Sequence, residues 1–191
     1  MNSKDTSFIE QMETLQNQYY KTHTKNTFFK SDQKMECAAT ISQQMDITQI
    51  LSNTVYIIGD TNRVFFDYNV FKLYANPSNY ILIIQRTLSL FYNCIQKYGN
   101  YETHINVNTF SISAAHRYKD MIHLFMEECF KSNIEFSNQL INMYIYNTPN
   151  MADNISAILL PLLYKPVQQK IILISKQDSA KKIEELFSLH H

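Results

Sequence analysis

Glycine is almost absent from this sequence, which has only Gly59 and Gly99 among its 191 residues. Phosphate-binding loops need closely spaced glycines, because the backbone must approach the phosphate oxygens without side chains in between. No such loop can be drawn here, which excludes the common nucleotide-binding motifs. Cysteine is also sparse: Cys37, Cys94 and Cys129 lie far apart, with no Cys-x-x-Cys pair. This usage argues against a zinc site or a disulfide framework and is typical of a reducing compartment.

Neither sign of charge is in excess, since 17 Lys and Arg residues balance 17 Asp and Glu residues. The sequence contains no block of like charge, so it lacks the electrostatic footprint of a nucleic-acid-binding protein. No apolar run approaches the ~20 residues of a spanning helix, and the N-terminus does not have the pattern of a secretory signal. We therefore expect a soluble, cytoplasmic protein with no nucleic acid among its partners and with only peripheral, transient contact with a membrane surface.

The periodicity of apolar residues divides the chain into two parts. The first predicts a helix at 6–20, a polar linker at 21–34 that carries Phe28 and Phe29, and a second helix at 38–52. Strands and helices alternate afterwards. We predict strands at 55–58, 63–67, 104–107, 141–146 and 170–174. We predict helices at 80–97, 151–160 and 179–187, and a further helix that begins at a cap, Ser111 or Ser113, and ends at about residue 129. This order requires crossover connections. We therefore predict an α/β fold, a mainly parallel sheet of about five strands flanked by helices (residues 54–191), preceded by a helical extension (residues 1–53).

A sharp corner, Asn147-Thr148-Pro149, interrupts an apolar stretch in the second half of the chain. Pro149 cannot donate to a sheet and disfavours helical geometry at Thr148, so a strand must end there. Asn150 is a suitable N-cap, and Asp153 is well placed in the first turn of the helix that follows. The pattern predicts a strand-to-helix turn at the carboxyl edge of a parallel sheet, where such folds bind ligands.

Two segments carry a family resemblance. Residues 144–175 read YIYNTPNMADNISAILLPLLYKPVQQKIILIS: a strand, the corner, a helix that ends at proline, and then Lys-Ile and an aliphatic strand. Residues 106–122, NVNTFSISAAHRYKDMI, read as a strand, a turn and a helix. Together they resemble the CRAL-TRIO lipid-binding domain of the phosphatidylinositol-transfer and tocopherol-transfer proteins, in a compact version. The resemblance implies a sheet that forms the floor of an apolar cavity and a helix at 151–163 that gates it.

The resemblance also implies site residues. Lys170 matches the lysine that helps to hold the inositol phosphate in phosphoinositide-binding members of the family. Asn138 stands where those members have a glutamate, and Asn106 and Thr109 replace the Asp and Gly of the family's turn, so phosphoinositide specificity does not follow. The candidate ligand-binding residues are Tyr144, Tyr146, Ile155, Ile158, Leu159, Leu162, Leu163 and Lys170. No cofactor and no metal site are expected.

Ser113, His116 and Asp120 have the residue types of a hydrolase triad, but all three fall on one predicted helix, with no nucleophile elbow and no oxyanion hole. We therefore expect no enzymatic activity. The function that we expect is binding, transfer or presentation of a lipid or another hydrophobic small molecule. The alternative is a protein-interaction module, with a protein partner, in which large side chains such as Tyr144 and Tyr146 fill the cavity.

Overall fold

The computed structural model describes residues 3–132 and 134–188, so the predicted domain limits at residues 1 and 191 lie outside the described residues. The helices in this part of the chain are α1 (Ser3–Thr22), α2 (Lys30–Gln44), α3 (Ile47–Thr54), α4 (Tyr68–Tyr74), α5 (Tyr80–Tyr98), α6 (Ile112–Lys131), α7 (Phe136–Gln139), α8 (Ala152–Leu159), α9 (Lys165–Gln168) and α10 (Lys176–Ser188). A 3-10 turn, Leu160–Leu162, follows α8 directly. The strands are β1 (Val55–Ile57), β2 (Arg63–Asp67), β3 (Tyr101–Asn106), β4 (Leu140–Thr148) and β5 (Ile171–Ser175).

The five strands form one sheet in the order β1-β2-β3-β4-β5. The β1–β2 pair is antiparallel, and the other three pairs are parallel. The parallel neighbours are connected through α4 and α5, through α6 and α7, and through α8 and α9. The predicted α/β fold, with a mainly parallel sheet of five strands and helices before it, is therefore confirmed.

The N-terminal helical region differs in detail from the prediction. The helix expected at 38–52 is two helices, because Met45 is extended (φ −126°, ψ 156°) and breaks the helical path. Asp46 then begins α3 as its N-cap, and its carboxylate accepts a hydrogen bond from the backbone N–H of Thr48 at 2.7 Å. The linker expected at 21–34 is shorter than predicted, since α2 begins at Lys30.

The apolar core joins the N-terminal helices to the helices that follow the second strand. Phe8 and Met12 of α1 and Ile41 of α2 belong to the same buried cluster as Tyr74 of α4 and Ile83 of α5. A smaller buried cluster lies on the face of the sheet against which α10 packs. Within the described part of the chain, none of the helices combines the length and the hydrophobicity that a membrane-crossing segment needs.

Candidate functional site

An apolar cavity of about 710 Å³ lies between one face of the sheet and the helices α6 and α8. Ligand cavities in proteins typically measure ~300–1,000 Å³. Phe91 of α5, Tyr101 of β3 and Val167 of α9 also contribute to its lining. The volume is therefore that of a ligand site and is far larger than an ordinary packing defect.

The floor of the cavity is a strip of side chains that crosses three parallel strands. Ile105 of β3 is paired in register with Ile145 of β4, and Ile145 is paired with Leu173 of β5. Met143 of β4 is likewise paired with Ile171 of β5. All five side chains line the cavity, because alternate residues of a strand point to the same face of the sheet. The alternation of the β4 sequence was the signal that could have assigned Met143 and Ile145 to the site.

The long wall of the cavity is the apolar stripe of α6. Helical periodicity in the sequence predicts a buried stripe on this helix, and all four of its residues line the cavity: Tyr118, Ile122, Phe125 and Cys129. Burial raises the pKa of the Cys129 thiol to about 12, so this cysteine stays protonated and acts as an apolar wall residue. Sequence reasoning identified these residues only as core, because a stripe facing a cavity has the same spacing as a stripe facing packed side chains.

The cover of the cavity is α8 together with the residues just after it. Ile155 and Leu159 are four residues apart on α8 and both line the cavity, and so does Leu163. Ile158 and Leu162 were predicted to do the same, but neither is a lining residue. Ile158 is rotated by ~100° from Leu159 around the helix axis, and the change from α-helix to 3-10 turn at Leu160 alters the direction of Leu162.

Tyr144 and Tyr146 lie on the opposite face of the sheet, so their assignment to the cavity was wrong. The Tyr146 hydroxyl is 2.9 Å from Nδ1 of His104, and the rings of Tyr144 and His104 stack with centroids 4.9 Å apart. Burial raises the pKa of Tyr146 to about 12, so its phenol remains uncharged. The two tyrosines share one face, as their spacing requires, but that face is covered by α10 and not by the cavity.

Lys170 does not line the cavity either. Its ammonium group donates hydrogen bonds to the backbone carbonyl of Ser137, at 2.7 Å, and to that of Leu140. The Ser137 carbonyl belongs to α7 and the Leu140 carbonyl lies just after it, where no further helical turn supplies N–H donors to them. The lysine therefore holds the α7–β4 connection in place, and its contact with a ligand headgroup stays a prediction.

Replacing Lys170 with methionine is expected to lower stability without changing what the cavity binds. Two carbonyls would lose a charged donor, which costs about 1–3 kcal/mol, or roughly 3–10 °C in melting temperature for a chain of this size. Lys165→Met is the matched control, because Lys165 is exposed and lies on α9 nearby. Thermal melts and ligand titrations measure the two properties separately. A normal melting temperature with lost binding would restore Lys170 to the site.

The corner after β4 depends on Asn147, whose backbone geometry and hydrogen bonds the sequence did not predict. Asn147 has a positive φ of 58°, its side-chain amide donates to Oδ1 of Asn106 at 2.8 Å, and its backbone N–H donates to Oγ of Ser179 at 2.6 Å. The strand ends at Thr148, directly before Pro149 as the proline requires, and runs two residues beyond the predicted range of 141–146. The N-cap of α8 is Met151, which makes no side-chain cap hydrogen bond, so the prediction that Asn150 is the cap was wrong.

Polar residues are a minority of the cavity lining, and Glu135, Ser137 and Asn138 among them belong to the connection between α6 and β4. Among the described lining residues, Glu135 is the one with a formal charge, and none carries a positive charge. The Glu135 carboxylate is exposed and accepts a hydrogen bond from the side-chain amide of Asn138. Phe130 and Tyr164, both exposed, meet edge to face with ring centroids 5.7 Å apart. These residues form the rim of the cavity, and the interior is uncharged.

The residue types of the hydrolase triad do not form a catalytic site here. Ser113, His116 and Asp120 are exposed on α6, and no hydrogen bond between their side chains is found in the residues that the structure describes. Over the same residues, no group of three or more His, Cys, Asp or Glu side chains could hold a metal ion. The absence of enzymatic activity stays a prediction.

No protein-family model matches this chain, and no curated protein matches it. The CRAL-TRIO resemblance therefore stays a hypothesis based on two sequence segments. The cavity is the structural feature that bears on function. It has an apolar floor on β3, β4 and β5, a wall on α6, a cover on α8 and a polar rim.

Proposed function

We propose that this protein binds one uncharged, hydrophobic ligand in the cavity under α8 and has no catalytic role. The observation that carries the proposal is a cavity of about 710 Å³ whose floor, wall and cover are aliphatic, aromatic and sulfur-containing side chains. Sites of this composition bind ligands through apolar burial, which contributes ~0.8 kcal/mol for each CH2 group. A single chain of ten or so carbons would already be held firmly.

The size of the cavity favours an occupant. The free energy of leaving an apolar cavity unfilled is about 24 cal/mol per Å³. The cavity here measures about 710 Å³ and opens at its rim, so leaving its apolar lining in contact with water or empty space is unfavourable. A hydrophobic ligand offsets this cost, because its atoms replace the missing contacts of the lining residues.

The charge of the lining decides the class of ligand. A phosphate or carboxylate inside the cavity would be desolvated without a cationic partner, which is strongly unfavourable. The nearby cation, Lys170, is already bound to two carbonyls. A polar end of the ligand can instead remain at the rim, beside Glu135, Asn138 and Gln168. We therefore favour an uncharged lipid over a phosphoinositide.

The cover is the element that we propose to admit the ligand. Its helix, α8, has eight residues, begins without a side-chain cap and passes directly into a 3-10 turn that contains Pro161. Ile155 is the residue of α8 that is buried. A short, uncapped helix with so little burial opens at a lower cost than the long helices of the core, which suits a gate.

The alternative function, a protein-interaction module with a filled cavity, has lost the observation that favoured it. Tyr144 and Tyr146 were the side chains expected to fill the cavity, and they lie on the other face of the sheet. The open cavity therefore favours ligand binding over this alternative.

Native mass spectrometry of the purified protein tests the proposal. We expect one bound hydrophobic molecule for each chain, released by organic extraction. The stripped protein should then bind a fluorescent fatty alcohol more tightly than the corresponding fatty acid or a phosphoinositide with the same fluorophore. A folded protein that carries no ligand and takes up none of the three probes would overturn the proposal, and preference for the phosphoinositide would overturn the ligand class.

A further inference from the structure

Two neighbouring phenylalanines are presented to solvent at the connection between α1 and α2. Phe28 is 91% exposed and Phe29 is 65% exposed. Scattered exposed apolar residues are ordinary on protein surfaces, but two adjacent aromatic side chains this far from any packing partner are not. Exposed aromatic pairs of this kind mark surfaces that contact a partner or a membrane.

Hydrogen bonds hold this connection in one shape. The side-chain oxygen of Asn26 accepts from the backbone N–H groups of both Phe28 and Phe29, each at 2.9 Å. The side chain of Gln33 accepts from the Asn26 N–H at 2.8 Å and donates to the carbonyl of Thr24 at 2.9 Å. The loop therefore has a defined turn that directs both rings away from the protein.

Positive charges surround the two rings. Lys30 and Lys34 are four residues apart on α2, so they lie on the same face of that helix. Arg117 of α6 donates from Nε to the Ser31 hydroxyl at 3.3 Å, which brings α6 beside the beginning of α2. Burial, followed by the charges of Arg117, Lys72 and Lys30, lowers the pKa of Lys34, which places these four cations within electrostatic range of one another.

A shallow pocket lies at the centre of this surface. Its lining consists of Phe28, Lys30, Ser31, Ser113, His116 and Arg117. The side chains combine cationic groups and hydroxyls, which suit the oxygens of a phosphate, with an aromatic ring at the edge. Two acidic residues of α2 lie near these cations: Glu36 accepts a hydrogen bond from the hydroxyl of Tyr19 on α1, and Asp32 is exposed in the first turn of the helix.

We propose that this surface, formed by Phe28, Phe29, Lys30, Lys34 and Arg117, docks the protein on an anionic phospholipid membrane. The two rings enter the boundary between headgroups and acyl chains, and the cations contact the phosphate layer. The chain as a whole has no net charge, so attraction to the membrane must come from this local concentration of positive charge. The proposal does not depend on whether the cavity holds a ligand.

The docking surface and the rim of the cavity are at opposite ends of α6. Arg117 and Phe130 are separated by thirteen residues of that helix, which corresponds to ~20 Å along its axis. Binding at the membrane and loading of the cavity can therefore be tested with separate substitutions.

Co-sedimentation with phosphatidylcholine vesicles, with and without phosphatidylserine, tests the proposal on the full chain. We expect binding only to the vesicles with phosphatidylserine, and weaker binding as the salt concentration rises. Phe28→Ser combined with Phe29→Ser should weaken binding by at least about tenfold for each ring. Lys30→Gln combined with Lys34→Gln should weaken it by about fivefold for each charge. All four side chains are exposed, so the variants should keep their melting temperature.

Matched control variants distinguish binding through this surface from the effect of removing any exposed aromatic side chain or any exposed positive charge. Tyr92→Ser removes another exposed aromatic residue, on α5, and Lys181→Gln combined with Lys182→Gln removes two exposed charges on α10. Neither control should weaken vesicle binding. Equal binding to neutral vesicles, or equal loss in a control, would overturn the proposal. It would also be overturned if the folded wild type ignored vesicles but bound an acidic polypeptide, which would assign the surface to a protein partner.

Discussion

Leu159→Asp is expected to abolish loading of the cavity while the protein remains folded. The Leu159 side chain is half-buried and lines the cavity from the cover. In the loaded state, a carboxylate at this position would face the apolar ligand without a cationic partner, at a cost of several kcal/mol. In the unloaded state the group can reach water when α8 opens. Since each 1.4 kcal/mol is a tenfold change, we expect ligand affinity to fall by more than a hundredfold.

The control for this variant is the preceding residue. Ile158 is also half-buried on α8 but is not a lining residue, so Ile158→Asp introduces the same charge on the same helix, outside the cavity. Fluorescent fatty-alcohol titration and thermal melts of both variants give loading and stability in parallel. If both variants load equally, or if Leu159→Asp unfolds the protein while the wild type carries no ligand, then α8 is a core helix and the gate does not exist.

Asn147→Val is expected to be the most damaging single substitution at the corner. A β-branched residue is poorly tolerated at a φ of 58°. The substitution also removes the side-chain hydrogen bond to Asn106, and any shift of the backbone breaks the bond from its N–H to Ser179. We expect a loss of about 2–4 kcal/mol, which lowers the melting temperature by roughly 5–15 °C.

Asn147→Gly separates the effect of backbone strain at the positive φ from the effect of losing the side-chain hydrogen bond. Glycine adopts a positive φ without strain, so this variant loses the side-chain hydrogen bond and little else. We expect it to cost about 1 kcal/mol, well below the valine variant. Chemical denaturation of the two variants measures the difference. Equal stability would mean that the left-handed geometry of the corner contributes nothing and that the amide of Asn147 alone matters.

Helices and strands were predicted well from the sequence where the apolar periodicity and the turn residues indicated the same limits. They were predicted poorly where an element's limits depend on its position beside a strand of the sheet. The second strand, 63–67, and the end of β4 before Pro149 are as predicted, because turn residues limit both. The helix α4 was missed, since it begins directly after β2 at the Asp67 cap. At seven residues it is also too short for helical periodicity to be recognised.

The candidate site was predicted only in part, because local sequence patterns do not contain the three-dimensional position of every residue. Ile155, Leu159 and Leu163 line the cavity as expected, because they lie in the segment that covers the sheet. The pattern of β4 established that Tyr144 and Tyr146 share a face, but two-residue periodicity cannot say which face meets the cavity. The role of Lys170 depends on carbonyls about thirty residues earlier in the chain, and no local pattern contains that information.

The order of the strands has a consequence for how the protein is made. Each strand lies beside the strand that precedes it in the chain, so the sheet can grow by successive addition as segments leave the ribosome. The cavity, however, takes part of its floor from β5 and its cover from α8, which are synthesised after the first three strands of the sheet. Under the proposed function, the ligand would therefore meet a chain whose five strands are already made. Ligand supply would then determine how long the folded protein survives in the cell, and it would have no influence on which fold the nascent chain reaches.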